Sequence, residues 1–235
     1  MQNRGTEALI HYPGFTRSLP FALFILLLAI ELSWSTLQPI IPGLESVDKR
    51  WLYAIKSGLA AFALVWLWPH YGELKKLPGR PFDWLAALAP GIIIFVLWIN
   101  LTQSWALVGE LGKGFDPHQQ DGQVDWLLAG IRLAGSALVV PIIEELFWRS
   151  FIMRWIDNPV FLSLEPQRVS NKGLLLSSAL FAVEHTQWFA GLIAGLAYGW
   201  LYRRTGNLWL SIIAHAITNG ILGIWVLNTG SWQFW

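Results

Sequence analysis

Seven apolar stretches separated by polar connections occupy most of the chain between Leu19 and Leu227. This succession constrains the fold more than any other feature, because about 20 apolar residues in a helix match the hydrocarbon core of a bilayer. Only 13% of the 235 residues are charged and mean hydropathy is +0.46, whereas a soluble domain carries nearer a quarter charged residues. There is too little polar surface to face water on every side. The expected fold is therefore all-α: a polytopic integral membrane helical bundle of about seven transmembrane helices. A net charge of +1 gives no sign of nucleic acid as a partner, and the absence of cysteine excludes disulfides, Cys–zinc sites and thiol chemistry. Many of the 16 tryptophans fall near span ends, among them Trp34, Trp51, Trp84, Trp126, Trp188 and Trp209, as an interfacial belt would place them.

The first span is expected from about Leu19 to Leu37, after a polar segment with Arg4 and Arg17. It reads as a span rather than a signal peptide, because it is long and no small-x-small cleavage site follows it. Glu31 interrupts it, most simply as a carboxylate facing the bundle or the interface. The second span covers Trp51 to Trp68, with Lys56 near enough to its start to snorkel. The third covers Trp84 to Leu101, bent near Pro90-Gly91. Residues 102–123 form the longest polar connection, in which His118 is an ordinary loop residue. The fourth span begins near Val124 and reaches Glu144-Glu145. It contains Arg132, for which Glu31 is a candidate partner, and Pro141, which bends the helix and either opens room for water or does nothing more. Splitting this region at Pro141 would give an eighth span. The fifth stretch, Gly173 to His185, would cross only roughly 20 Å. The sixth, Trp188 to Tyr202, stacks Gly191, Gly195 and Gly199 on one face, a pattern for close helix packing. The seventh runs from Leu208 to Leu227.

With a cytoplasmic N-terminus, the inner segments hold Arg4, Arg17, Lys75, Lys76, Arg80, Arg154, Arg168, Lys172, Arg203 and Arg204. The outer ones hold only Lys49, Arg50 and Lys113. This asymmetry follows the positive-inside rule and favours an odd number of spans. At about 1.5 Å per residue, His215 then lies roughly 10 Å from the cytoplasmic end of its span. Glu144 lies toward the same side and His185 nearer the middle.

Carboxylates and histidines in apolar spans are costly, so their default reading is functional. Glu144 and Glu145 point about 100° apart on a helix and cannot share one role. Glu145 and Arg149, four apart in the favourable order, suit a structural ion pair, which leaves Glu144 as a general base. His185 is placed to hold the same water. His215 and Asn219, again four apart, can both donate to a developing oxyanion. The same Glu-His-His set also suits zinc, and the residues alone do not separate hydrolysis by activated water from a metal site.

Glu144-Glu145-x-x-x-Arg149, Phe181-x-x-x-His185 and His215-x-x-x-Asn219 resemble, in order, the three signature motifs of the CPBP family. These are the CAAX-prenyl-protease and bacteriocin-processing (Abi) intramembrane glutamate endopeptidases. The run from Gly195 through Thr205-Gly206 to Leu208 is also similar to that family. The resemblance covers about residues 124–225 and implies hydrolysis without metal or cofactor. In it, Glu144 and His185 activate water, and His215 and Asn219 form the oxyanion hole. Glu145, Arg149 and Phe181 support them. Residues 124–235 would be the catalytic core and residues 1–123 three N-terminal helices with their loops. The Trp-rich N-terminal part is similar to CAAX-protease-related proteins of bacterial exosortase sorting systems, which points to a bacterial inner membrane. The implied partners are membrane lipid and a protein or peptide substrate, lipidated or membrane-anchored. The alternatives are a zinc-dependent membrane protease using the same residues, and a non-proteolytic scaffold or transporter component, for which Glu31 and Arg132 are the best support.

Overall fold

The computed structural model describes residues 12–79 and 81–235. Arg4 and Arg80, which enter the charge asymmetry, lie outside the described residues. Each of the seven apolar stretches forms a helix. They are α1 (Pro13–Leu32), α2 (Trp51–Trp66), α3 (Pro81–Asn100), α4 (Trp126–Trp155), α5 (Asn171–Val183), α6 (Trp188–Thr205) and α7 (Leu208–Thr229). Four of them, α1, α3, α4 and α7, are long and apolar enough to cross a membrane. Helices α2 and α5 are apolar but shorter, and α6 contains three glycines and ends in Arg203-Arg204. The outward faces are apolar, with Phe62, Phe82 and Val183 each at least 70% exposed. An exterior of this kind suits lipid and not water, so the chain is a polytopic membrane helical bundle.

Local chemistry sets the ends. Side chains of Asp125, Ser170 and Asn207 accept backbone N–H groups at the starts of α4, α5 and α7, which satisfies donors a helix start leaves open. Gly206, at φ +68°, ends α6 in the left-handed conformation that glycine adopts without penalty. α1 begins at Pro13, six residues before the expected start at Leu19. Proline suits a first helical position, and Arg17 is tolerated inside the helix because Glu73 neutralises it at 2.6 Å.

α7 is the central helix. Half of it is buried, against 17% of α3, and it packs on α3, α4 and α6. At Gly91 the backbone of α3 comes so close to α7 that a Cβ there would stand 2.7 Å from the Ala214 carbonyl. α3 continues through Pro90 to Asn100. The glycine face of α6 lies against α5, where a Cβ at Gly195 would stand 3.0 Å from the Ser178 Cα. α4 also runs unbroken through Pro141, so the split that would make an eighth span does not occur. It does widen into π-helical turns at Gly135–Val139 and Leu146–Ile152.

The polar groups within the spans find partners other than those expected. Glu31 pairs with Lys56 at 2.5 Å and not with Arg132. Lys56, 2% exposed, accordingly turns inward and does not snorkel. Arg132 lies instead over the Tyr53 ring, at 4.0 Å from its centre. The pairing fails the sequence reading because α1 and α2 are direct neighbours, and Lys56 reaches Glu31 first. On the opposite side of the bundle, Glu73 binds Arg17 of α1 and accepts from the Ser150 hydroxyl of α4. Burial alone would raise the Glu73 carboxyl. The hydrogen bond and charge of Arg17, with Ser150, outweigh it and hold Glu73 below its ordinary 4.5. His118 is a loop residue, paired with Asp116 at 2.6 Å.

Two outcomes follow. Gly195→Leu forces α5 and α6 apart and should cost about 1–3 kcal/mol in thermal unfolding in detergent, whereas Gly58→Leu, with open space at its Cβ, should be near neutral. A depressed folded-state carboxyl contributes stability that is complete above the unfolded value and lost as pH falls through the folded one. The wild-type unfolding midpoint should therefore drop below about pH 4.5. Glu73→Gln should start lower at neutral pH and lose less on acidification.

Candidate active site

Helix α4 brings Glu144 and Glu145 into the bundle, 8% and 0% exposed. Their neighbouring positions send them to different partners. Glu145 lies 3.2 Å from Arg149 Nε and accepts from His215 Nδ1 at 3.0 Å. A carboxylate oxygen can only accept here, so Nδ1 of His215 carries a proton and Nε2 is left for other use. That Nε2 lies 3.9 Å from Glu144 Oε2, an oxygen buried without a hydrogen-bond partner. Arg149 is held further by rings, with Cζ 4.3 Å from the centre of Phe181 and 5.7 Å from that of Tyr198. Glu145 and Arg149 thus tie α4 to α5, α6 and α7.

His185 lies just beyond α5. Its Nδ1 donates to the Phe181 carbonyl at 2.8 Å, so Nε2 is again the free nitrogen. The four-residue spacing of Phe181 and His185 serves twice, since the Phe181 backbone orients the imidazole and its ring packs under Arg149. Trp98 of α3 adds an edge contact to His185, with centres 5.3 Å apart.

Asn219, one turn past His215 on α7, donates to the Ser136 carbonyl at 2.9 Å. The wide turn of α4 explains why that carbonyl is available. In π geometry it looks to the N–H five residues on, and that residue is Pro141, which has none. The proline thus leaves an acceptor that positions Asn219. Glu144, His185, His215 and Asn219 all line one cavity of about 240 Å³.

Two residues of this site escape the sequence reading. Tyr198 of α6 stacks on His215 at 5.0 Å, and its hydroxyl bonds to Thr218 at 2.7 Å. Glu184 accepts from Trp148 Nε1 at 2.9 Å. Its ligand atom lies with those of Glu144 and His185 inside a 4.8 Å group able to hold a metal ion. His215 is not in that group, so the cluster differs from the Glu-His-His set expected for zinc. Burial deepens from Glu184, exposed, through His185 to Glu144. Glu184 carried a readable signal, since the argument that singles out Glu144 applies equally to a carboxylate in an apolar run. Tyr198 carried none, because an aromatic on a helix is ordinary packing.

Fold and site together define an integral membrane protein whose helical bundle encloses a largely apolar cavity lined by the motif residues. Residues 126–221 match the family model described as Type II CAAX prenyl endopeptidase Rce1-like. No curated protein and no solved structure matches the chain. The matched segment contains every residue of the three motifs, and over this segment the chain is similar to the CAAX-protease family. The match does not extend to α1–α3, and it does not support the exosortase-associated branch.

Glu145→Gln would leave Arg149 without its buried counter-charge. Breaking one side of a buried pair typically costs about 3–5 kcal/mol, so thermal unfolding of this variant in detergent should fall well below wild type. An unchanged midpoint would contradict the role given to Glu145.

Proposed function

We propose that the protein is an intramembrane endopeptidase that hydrolyses a peptide bond with water activated by Glu144 and His185. The observation that carries this reading is the convergence of Glu144, His185, His215 and Asn219, from three segments of the chain, on one cavity. Glu144 Oε2 has no competing hydrogen bond and His185 Nε2 is free to accept, so both are available to a single water. As the water attacks the carbonyl carbon, its proton passes to Glu144. The oxyanion takes hydrogen bonds from the Asn219 amide and from His215 Nε2. His215 donates from Nε2 only as an imidazolium, and Glu145 at Nδ1 supplies the charge that offsets it. Glu144 then returns the proton to the leaving amine, and the C–N bond breaks to give a carboxylate and a free amine.

The family description supports a peptide substrate that is membrane-associated, and a prenylated C-terminal peptide is one class to offer. The positive-inside asymmetry supports a cytoplasmic N-terminus. In this reading residues 124–235 are the catalytic core, and α1–α3 enclose it.

A second reading is favoured by one observation, the grouping of Glu144, Glu184 and His185 within 4.8 Å. In it these three would hold a divalent cation, which would supply Lewis-acid polarisation of the carbonyl or the water. A cleavage assay in liposomes with a broad peptide set, including lipidated C-terminal peptides, separates the two. The water-activation reading predicts full activity after chelation and loss of about 10²–10³-fold in kcat for Asn219→Ala. Activity abolished by chelator and restored by metal, together with loss in Glu184→Gln, would establish the metal reading instead.

A further inference from the structure

The cavity that holds Glu144 continues along α4 to a second set of side chains. Arg132, Ser136, Val140 and Glu144 follow at four-residue intervals and all line it. Twelve residues of helix correspond to roughly 15–18 Å between the backbones of Arg132 and Glu144, so the two line the cavity at different levels along α4. The Arg132 end is built from donors. Lys56 and Trp235 line it with Arg132. Arg132 makes no ion pair among the described residues, and its Nε is buried with no hydrogen-bond partner. Trp235 Nε1, on a residue only 9% exposed, is likewise buried and unpartnered. Lys56 is neutralised by Glu31, which leaves Arg132 as the cation of this end with no ion pair among the described residues. The rings beneath, Tyr53 at 4.0 Å and Phe115 at 5.5 Å from the Arg132 Cζ, hold the guanidinium in place.

Unpaired donors and a cation without an ion pair inside an apolar bundle are unfavourable unless an acceptor joins them. We infer that the Arg132–Trp235 end of the cavity is an anion subsite that binds a carboxylate of the peptide substrate. This rests on the reading of the cavity as a peptide-binding site. A carboxylate suits the donor set because guanidinium and indole N–H groups can both point to its two oxygens. The carboxylate can be the free C-terminus of the peptide or an acidic side chain. Since an extended chain covers about 3.3–3.6 Å per residue, it would stand about four or five residues from the bond at Glu144. The same subsite gives Arg132 a place in substrate recognition once Glu31, its candidate partner in the sequence, is taken by Lys56.

The test uses Glu144→Gln protein in nanodiscs, so that binding is read without cleavage. A library of short N-acetylated peptides is offered in two forms, with free C-terminal carboxylates and with C-terminal amides, and retained members are counted by mass spectrometry. Anionic peptides should be enriched about tenfold over their neutral counterparts. Enrichment of every acid over its amide assigns the terminal carboxylate, and enrichment of Asp or Glu at one position assigns a side chain. Adding Arg132→Gln should abolish the preference, and adding Arg132→Lys, which keeps the charge, should preserve it. The inference is overturned if anionic members show no enrichment, if enrichment survives Arg132→Gln, or if Arg132→Lys loses it as fully as Arg132→Gln. Absence of Glu144-dependent cleavage by the wild-type protein would count against the protease reading alone, because the charge preference is measured without cleavage.

Discussion

A carboxylate with no exposed surface, Glu145, holds the site together. Burying it costs several kcal/mol unless its charge is met, and the bundle meets it with Arg149 at 3.2 Å and His215 at 3.0 Å. Each of those contacts fixes something else. Arg149 rests on Phe181 of α5 and faces Tyr198 of α6, while His215 is oriented so that Nε2 faces Glu144. One electrostatic requirement thus fixes the relative placement of four helices and the direction of the imidazole. Glu144, with no such partner, is left available for chemistry.

The backbone contributes a second constraint. Pro141 and the wide turn before it break the regular bond pattern of α4, and the Ser136 carbonyl so released takes Asn219. The sequence could show a proline three residues from Glu144 but not which carbonyl it would free, or that a side chain eighty residues away would use it. The close approaches at Gly91, Gly195 and Gly199 let α3, α5, α6 and α7 come near enough for these short polar contacts to form.

Much of the plan is legible in the sequence. Apolar run lengths place the seven helices, and the four-residue spacings of Glu145 with Arg149, Phe181 with His185 and His215 with Asn219 mark side chains that the bundle does bring to one region. What escapes is set by which helices are neighbours. Glu31 finds Lys56 because α1 packs on α2, and Arg132 is left over two rings. Arg17 is drawn into α1 by Glu73 from a loop more than fifty residues on. Glu184 escapes for a different reason. It adjoins the motif residue His185 at a position the four-residue spacing does not mark, although its charge in an apolar run is as costly as that of Glu144.

In the proposed mechanism Glu144 is the base for peptide hydrolysis inside the membrane. The most direct test of that role is cleavage of a membrane-presented peptide library by purified wild-type protein and Glu144→Gln in matched liposomes, with unfolding midpoints measured alongside. The account predicts cleavage by the wild type, none by a variant that is equally well folded, and indifference to chelator. A folded Glu144→Gln protein that cleaves like wild type would contradict it.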